Sequence, residues 1–546
     1  MKALLINPPF LTTSSLSVGF GEPLGLAYVA AALERSGRHS VEILDCVGSA
    51  PAIPDLKVGE INRIGLEDGD VLARLAARHF DVIGITMTRT SDLDPGTTTL
   101  IGMIKAEYPQ IPIIIGGPEA THSWNDYVHD TNITYIVLGE GEKTIVDLLD
   151  AIEGQAAIAS VKGIVFMDAD GVPVKTAAQD TVDIDSLAWP ARHLLPMSSY
   201  IENRPTTERR AASILTSRAC PYRCAFCSTI HVWGNNWRGR AVGDVVREIE
   251  FLVKEYGVGE IIITDDNFCV NRKRVHAICD MIIALKLDVV IHVSSGVMSS
   301  LANEDLLKKL SAAGMVDINM QLESGNEQTQ GYICKKIDLA HMKSMIDTAH
   351  ALGMHVSTNI ILGFPFETKE QMEDSAKVAI GLGFDSIDFV YILPKDNTRV
   401  HRDFVECGIL AEGELPVLPV RTVHCSADEV RAVRDWAIQE FQNSKKAAPT
   451  GRSMHIDPAA ISHGEGHCYS IRFPDGHDLS DHSEAPMRSP ARLYEDDVPL
   501  GPLHTLHRSI RAFGEGRYSH WDWWLYFSTS DNSDPRTNGR TYRLEY

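Results

Sequence analysis

Three cysteines lie within eight positions of the chain, in the segment CPYRCAFCS at residues 220–228. Cys220, Cys224 and Cys227 have the spacing C-x3-C-x2-C, whereas the other seven cysteines of the 546-residue chain are scattered. Three thiolates on one short loop can wrap a single metal centre. A tight cysteine cluster in a large chain without a disulfide framework indicates metal binding or catalysis.

The number of cysteines in this cluster bears on which metal centre it holds. A structural zinc ion takes four ligands, usually as two pairs, and no second pair with such spacing occurs in the chain. A cubane iron–sulfur cluster usually takes four cysteines, so three leave one iron with an open position. Because open positions are typical of catalytic centres, the loop predicts a catalytic iron–sulfur cluster, with structural zinc as the alternative.

Composition and charge limit the setting in which this centre works. Apolar residues make up 44% and charged residues 23% of the chain, which is typical of a globular protein. A net charge of −22 argues against nucleic acid as a partner. No apolar run reaches the length of a membrane helix, and the first residues, MKALLINPPF, do not resemble a signal peptide. We therefore expect a cytoplasmic protein without a membrane span.

Residues 1–154 alternate short apolar strands with helical segments, the pattern of a doubly wound, Rossmann-like α/β domain. A ligand of such a domain lies at the carboxyl ends of the strands. Each glycine-rich loop there also has a plainer interpretation, a tight turn between strand and helix. The candidate ligand-binding residues are Asn7, Pro8, Pro9, Gly25, Thr86, Met87, Thr88, Gly116, Gly117, Glu119, Gly139, Glu140, Gly141 and Glu142.

The rest of the chain divides into three further segments. Residues 155–210 predict a β-hairpin and a linker, and residues 211–415 repeat about six βα units. Such a repeat predicts a partial (β/α)6 barrel with its chemistry at the carboxyl ends of the strands. Residues 416–546 predict a helix, a linker at 445–452 and a β-rich α+β module, in which the turn DNSDPRTNG joins two strands. This module is a candidate for substrate recognition.

The cysteine loop, with Phe226 before its last cysteine and its position after the first barrel strand, resembles the radical S-adenosylmethionine (SAM) superfamily. In that superfamily the open iron binds SAM, and one electron cleaves it to a 5′-deoxyadenosyl radical. The later strand ends ITDDNF, NMQLESGNE and NIILGFPFET resemble the superfamily's SAM-contact segments. The resemblance implies SAM contacts from Phe226, Asp265, Asp266, Gln321, Glu323, Ser324, Asn359, Gly363 and Pro365.

The domain ahead of the barrel resembles the cobalamin-binding branch of that superfamily, which implies cobalamin at the strand ends of residues 1–154. One departure concerns the lower axial ligand of cobalt. Free-standing corrinoid proteins supply a histidine from D-x-H-x-x-G, whereas the comparable region here reads Asp45-Cys46-Val47-Gly48. The methylthiotransferase branch carries three further cysteines in this domain, but here Cys46 is the one cysteine before Cys220.

The resemblance implies a methyltransferase that acts on an unactivated carbon of a small-molecule or envelope-precursor substrate. It also implies an external one-electron reductant such as flavodoxin or ferredoxin. Two alternatives are an oxidative cyclase or ring-rearranging enzyme without methyl transfer, and a cobalamin or iron–sulfur sensor without turnover. The candidate catalytic residues of the barrel mouth are Tyr391, His292 and Trp237.

Overall fold

The computed structural model describes residues 1–12, 21–50, 62–88, 95–201, 209–335, 337–411, 414, 416–445, 453–473, 480–481, 489–505, 507–521 and 523–546. These residues form two compact units. The first comprises Met1–Asn203 and Arg209–Glu440, and Phe441–Tyr546 belongs to the second.

The first unit begins with an alternation of strands and helices. Its strands are β1 (Lys2–Asn7), β2 (Phe10–Thr12), β3 (Ser40–Asp45), β4 (Asn62–Ile64), β5 (Val82–Thr86), β6 (Ile113–Gly116), β7 (Tyr135–Val137), β8 (Ile164–Met167) and β9 (Pro173–Lys175). Its helices are α1 (Leu24–Ser36), α2 (Asp68–Ala76), α3 (Pro95–Glu107), α4 (Pro118–His122), α5 (Trp124–Tyr127) and α6 (Gly141–Ile152).

Seven of these strands form one sheet in the order β3-β1-β5-β6-β7-β8-β9. The first five are parallel, which confirms the doubly wound fold. Successive side chains alternate between two apolar cores, with Leu4 and Ile6 in one and Ala3 and Leu5 in the other. This explains the unbroken apolar run Ala3–Ile6 within β1, because helices cover both faces of the sheet.

The predicted hairpin of residues 155–210 extends this sheet. Strand β8 pairs antiparallel with β7, and β9 pairs antiparallel with β8.

After the hairpin, Arg192 connects the sheet region to the following strands. Its guanidinium lies 2.6 Å from a carboxylate oxygen of Glu248 and 3.5 Å from one of Glu22, and it donates to the carbonyl of Ser213. All three charged side chains are almost completely buried.

A second run of strands and helices completes the first unit. The strands are β10 (Ala211–Ile214), β11 (Ser217–Arg218), β12 (Arg238–Gly239), β13 (Glu260–Ile263), β14 (Val290–Val293), β15 (Asp317–Asn319), β16 (His355–Leu362) and β17 (Ser386–Tyr391). The helices are α7 (Met197–Ile201), α8 (Thr229–Trp233), α9 (Val242–Tyr256), α10 (Arg272–Ala284), α11 (Glu304–Ala312), α12 (Glu327–Tyr332), α13 (Leu339–Ala351), α14 (Lys369–Leu382), α15 (Arg399–Glu406) and α16 (Ala427–Lys445).

Six of these strands form the predicted partial barrel. They pair as two parallel sheets, β10-β13-β14 and β15-β16-β17. Single parallel bridges, Ile291 to Met315 and Val297 to Met320, join the two sheets beside β14 and β15. Among the described residues β17 does not pair with β10, so the barrel is open. Because the strands are parallel, their carboxyl ends share one edge, where the cysteine loop begins.

The second unit is a β-rich module with its own apolar core, which includes Phe473, Leu493 and Phe527. It contains β18 (Ser453–Ile456), β19 (Ser462–His463), β20 (Tyr469–Arg472), β21 (Arg492–Glu495), β22 (Val498–Pro499), β23 (Tyr518–Trp521), β24 (Trp524–Phe527), β25 (Tyr542–Glu545) and α17 (His507–Phe513).

Two sequence expectations concern this module. The turn DNSDPRTNG joins two strands as expected, and these strands belong to different sheets: β24 pairs with β20 and β23, and β25 pairs with β18 and β21. Within the turn, the amide of Asn538 donates to the hydroxyl of Ser533. The predicted linker at 445–452 lies outside the described residues except for Lys445. No described helix is long and apolar enough to cross a membrane.

Candidate functional site

A cavity of about 480 Å³ opens at the carboxyl ends of the parallel strands β1, β5, β6 and β7. Its walls come mainly from the loops that follow these strands and from the start of α1. Twelve of the fourteen residues predicted at this edge line it. They are Asn7, Pro8, Gly25, Thr86, Met87, Thr88, Gly116, Gly117, Gly139, Glu140, Gly141 and Glu142.

The two other predicted residues of this edge face elsewhere. Pro9 lies beneath Gly65, where an added Cβ would come within 2.8 Å of the proline ring. The buried carboxylate of Glu119 accepts a hydrogen bond of 2.7 Å from Ser123 and lies 4.0 Å from the ammonium of Lys395. Neither residue lines the cavity, and a cobalamin contact at these two positions stays a prediction.

Backbone geometry explains one glycine of the cavity wall. Gly117 has a φ of +104°, and a Cβ at this position would lie 2.7 Å from the carbonyl oxygen of Met87. A side chain is therefore excluded by both conformation and space. The turn keeps a bare backbone surface beside the cavity, which suits close approach to a large planar ligand.

Three buried polar atoms of the cavity residues have no hydrogen-bond partner among the described residues. They are the Nε of Arg218, the hydroxyl of Tyr28 and one carboxylate oxygen of Glu142. Unpaired buried polar groups are costly, and the amide groups around a corrin ring can donate to the two oxygens. The mainly apolar cavity and these two acceptors thus fit cobalamin, whose macrocycle would cover the bare glycine turns.

The cysteine loop is held at its base by a short antiparallel ribbon. Strand β11 ends two residues before Cys220, and β12 pairs with it after the loop, so residues 219–237 form the connection. The amide of Asn267 lies 3.8 Å from the sulfur of Cys220. Burial raises the pKa of Cys224 to about 11. These thiols therefore release protons when they bind a metal.

Thiol spacing separates a cluster from a single ion. Among the described residues, one group of three possible ligands has all its ligand atoms within 4.8 Å of one another. It consists of His39, Asp150 and Glu153, and Asp150 is already paired with Arg38. The three thiols of the loop do not form such a group, so they are spread more widely than the roughly 3.8 Å between sulfurs that zinc–sulfur bonds of about 2.3 Å impose. A multi-iron core fits this wider spacing.

Three polar side chains adjoin the cysteine loop at the end of β15. The ammonium of Lys335 lies 2.7 Å from the carboxylate of Glu323 and 2.9 Å from the side-chain oxygen of Gln321. Lys335 and Glu323 also contribute, in opposite directions, to the pKa of Cys224. Glu323 has a positive φ of 62°. The structure therefore brings two predicted SAM residues beside the thiols, together with a buried lysine that sequence reasoning missed.

The two aspartates after β13 have different surroundings. Asp265 is completely buried and accepts hydrogen bonds from the backbone and hydroxyl of Thr216 and from the hydroxyl of Ser217. Its carboxylate is used in holding β11 beside β13, so it does not face a ligand. Asp266 accepts a longer bond of 3.3 Å from Thr229, and burial raises its pKa to about 6.

Of the remaining predicted SAM residues, Ser324 follows β15, Phe226 lies in the cysteine loop, and Asn359, Gly363 and Pro365 lie on β16 or in the turn after it. The hydroxyl of Ser324 bonds to Ser375 at 2.9 Å, so it joins a strand end to α14. The backbone carbonyl of Asn359 accepts from Glu323. Gly363 has a φ of +93° and donates its amide to Glu367.

Glu367 also belongs to this turn, at the end of the segment NIILGFPFET. It is fully buried and accepts bonds from two turn amides and from Thr329, and burial raises its pKa to about 7. The same turn presents the carbonyl of Pro365 to the amide of Val423. The ring of Phe226 lies 6.4 Å from that of Phe364, which brings the cysteine loop against the turn.

The three candidate catalytic residues occupy structural contacts. His292 lies between the carboxylates of Asp317 and Glu260, at 2.7 and 3.0 Å. The indole of Trp237 donates to the carbonyl of Asn267. The ring of Tyr391 lies 5.2 Å below the guanidinium of an arginine on α16, Arg434. None of the three lines the cavity, so they are candidates for stabilising the barrel.

Sequence reasoning also missed Arg218, the residue two positions before Cys220. It lines the cavity and is nearly inaccessible to solvent. Its guanidinium forms ion pairs with Glu142 and, at 3.0 Å, with Glu140. It lies over the ring of Trp233, at 4.8 Å. The sequence signal that could have identified Arg218 is its position, because it is a charged residue between a buried strand and a metal-binding loop.

Comparisons with known proteins agree with this geometry. A family model described as the B12 binding domain matches residues 16–149, and the model of the Radical SAM superfamily matches residues 214–379. An uncharacterized methyltransferase of Pyrococcus horikoshii is 30% identical over 402 residues, which cover 73% of this chain and 82% of that protein. The chain belongs to the cobalamin-dependent radical SAM methyltransferase family. Its cofactors are accordingly a [4Fe–4S] cluster, SAM and cobalamin.

Other proteins are also similar to the chain. Cytidylyl-2-hydroxyethylphosphonate methyltransferase of Streptomyces wedmorensis is 29% identical and aligns over 75% of this chain and 82% of its own. Anaerobic magnesium-protoporphyrin IX monomethyl ester cyclase of Rubrivivax gelatinosus is 26% identical over 69% of this chain and 65% of its own. Radical SAM enzymes draw their electron from an external reductant.

Solved structures of cobalamin-dependent radical SAM enzymes share the fold. The methyltransferase TsrM from Kitasatospora setae, with tryptophan and a SAM analogue bound, has a TM-score of 0.60 at 18% identity, covering 75% of this chain and 77% of that one. The enzyme OxsB with aqua-cobalamin bound has a TM-score of 0.62 at 16% identity, covering 83% of this chain and 69% of that one.

Proposed function

We propose that this enzyme transfers a methyl group to an unactivated carbon of a small-molecule substrate. One observation carries the proposal: the cavity at the glycine-rich strand ends is also lined by Arg218, which directly precedes the cysteine loop, and by Trp233, which lies within that loop. A corrin in this cavity and a cluster on this loop would thus be neighbours. A carbon between them can be activated from one side and methylated from the other.

Each group of residues has a separate task in this proposal. Cys220, Cys224 and Cys227 bind the [4Fe–4S] cluster. When bound, the cluster and SAM supply a 5′-deoxyadenosyl radical, and methylcobalamin supplies the methyl group. Gln321 and Glu323 hold the polar end of SAM, since they lie beside the thiols, where a buried lysine donates to the amide oxygen of Gln321 and balances the charge of Glu323.

The cavity residues bind and shield the corrin. The glycine turns at residues 116–117 and 139–141 would present their backbone to the corrin. The buried oxygens of Tyr28 and Glu142 would accept hydrogen bonds from its amide groups. The apolar walls exclude water from the reacting centre, which protects a carbon radical from side reactions.

Other aspects of the proposal concern partners and location. We expect flavodoxin or ferredoxin to act as the reductant, and we expect the enzyme to work in the cytoplasm. A reducing compartment is supported by the ten cysteines, all free thiols. The residues 441–546 are proposed to recognise the substrate, which accounts for a module with its own core outside the cofactor-binding residues.

Anaerobic reconstitution with iron, sulfide and hydroxocobalamin tests the proposal. Absorption spectra should show both a cluster and a bound corrinoid, and reductant with SAM should yield 5′-deoxyadenosine. Cys224→Ala should abolish the cluster and SAM cleavage while corrinoid remains bound. Cys407→Ala, at an exposed cysteine outside the loop, is the matched control and should behave as wild type. A protein that binds no corrinoid would contradict methyl transfer.

A second candidate is oxidative cyclisation without methyl transfer. It is favoured by the similarity to the magnesium-protoporphyrin cyclases, at 26% identity. Product mass distinguishes the two reactions, because methylation adds one methyl group whereas cyclisation removes hydrogens.

A further inference from the structure

The ribbon at the base of the cysteine loop pairs two arginines. In its register Ser217 lies opposite Gly239, and Arg218 lies opposite Arg238. The residues between the two strands, 219–237, contain all three cluster cysteines. The two arginines therefore stand where the loop leaves and rejoins the fold.

Two like charges directly opposite each other destabilise an antiparallel pair. Here the repulsion is offset by carboxylates from another part of the unit. Arg218 and Arg238 donate to the same oxygen of Glu140, at 3.0 and 3.2 Å, and Arg218 also pairs with Glu142. Both glutamates belong to the turn at residues 139–142, GEGE, which follows β7 and which we call the acidic turn.

Burial and ring contacts hold these charges in place. Arg218 is 1% exposed, and its guanidinium lies between the rings of Trp233, at 4.8 Å, and Tyr28, at 5.3 Å. Trp233 lies on α8, within the connecting loop. A Cβ on Gly139 would lie 3.4 Å from the carbonyl oxygen of Val232, so the acidic turn also approaches the loop through backbone.

The arginine pair and the acidic turn thus meet at the wall of the cavity. Arg218, Glu140 and Glu142 all line it. We propose that Arg218 and Arg238 are positioning residues that hold the cluster-binding loop against the acidic turn, so that corrinoid binding at the turn orders the loop. This inference rests on the proposed function, because it requires the acidic turn to contact corrinoid.

Hydrogen–deuterium exchange on the full-length, cluster-loaded protein tests the inference. Addition of hydroxocobalamin should slow amide exchange in peptides from residues 219–237. The variant Arg238→Met removes one arginine of the pair, lies outside the cavity lining and leaves Glu140 paired with Arg218. It should still bind hydroxocobalamin, as seen by visible absorption, but the slowing should be lost. Arg238→Lys, which keeps the charge, should restore part of it.

A matched control and a second variant keep the test decisive. Arg247→Met removes an exposed arginine that pairs with Asp244 on α9 and should leave the slowing intact. Arg218→Met, compared at equal corrinoid occupancy by visible absorption, supplies the second variant and should also lose the slowing. Bound corrinoid without any change of exchange in the wild type would overturn this inference, as would retained slowing in both arginine variants. A wild type that binds no corrinoid would overturn the proposed function and this inference with it.

Discussion

Lys335 is the residue whose charge most directly concerns SAM binding. Its ammonium contacts Gln321 and Glu323, which are proposed to hold the cofactor, and it is buried. In Lys335→Met the Glu323 carboxylate loses its counter-charge and its orientation. Hydrogen bonds to charged groups contribute about 1.5–3 kcal/mol, so we expect SAM affinity to fall about 10- to 100-fold. Isothermal titration of cluster-loaded protein measures this.

A control for this prediction is available on the neighbouring helix. Lys343 on α13 is half exposed and pairs with Asp347, so Lys343→Met should bind SAM as the wild type does. Unchanged affinity in Lys335→Met, with the cluster retained, would show that the lysine balances charge without serving the cofactor.

The residue scale also shows where sequence reasoning stops. The spacing of Cys220, Cys224 and Cys227 is local, so it could be recognised from the chain itself. The partners of Arg218 are more than 70 positions away, at Glu140 and Glu142, and no local sequence pattern predicts these ion pairs. The resemblance implies that Asp265 contacts SAM, but its carboxylate accepts hydrogen bonds from Thr216, which is distant in sequence and lies between β10 and β11.

At the scale of elements, His292 connects three neighbouring strands. Burial acts to lower its pKa, but the hydrogen bonds to Asp317 and Glu260 outweigh burial and raise it to about 9. The folded state therefore holds the proton more tightly than the unfolded chain. Its stabilising contribution is fully present below the ordinary pKa of 6.5 and is lost as the pH rises through 9.

We expect this loss in urea unfolding at a series of pH values. The free energy of unfolding of wild type minus that of His292→Gln should fall by about 3 kcal/mol between pH 6 and pH 10. His79→Gln provides the comparison, because His79 is 84% exposed. A difference that is independent of pH would show that the imidazole is not charged in the folded protein.

Strands and helices were predictable where one periodicity dominates. The continuous apolar run of β1 and the βα rhythm after β10 follow from burial of parallel strands on both faces. Pairing between distant strands was harder to predict from the sequence. The hairpin β8–β9 joins the sheet edge at β7, and β25 leaves β24 for another sheet. Both outcomes depend on edges that become available only after the chain has folded.

At the scale of the whole molecule, cofactor binding is concentrated in the first unit. Its residues supply the cavity, the cysteine loop and the polar group around Lys335. A chain that ends at residue 445 should therefore keep its corrinoid absorption, its cluster and its cleavage of SAM. It should lose methylated product, since the second unit is proposed to recognise substrate. Loss of corrinoid from the shortened chain would contradict this division.

The buried contacts of Arg192 have a consequence for how such proteins can be recombined. This arginine of the connecting segment is bound by Glu22 from the first domain and by Glu248 from the barrel. A barrel grafted onto another corrinoid domain would keep the ion pair of Glu248 with Arg240 but lose that with Arg192, and breaking a buried ion pair by removing one partner is strongly destabilising. The two domains and their connecting segment are therefore expected to be inherited, and exchanged in engineered chimaeras, as a single block.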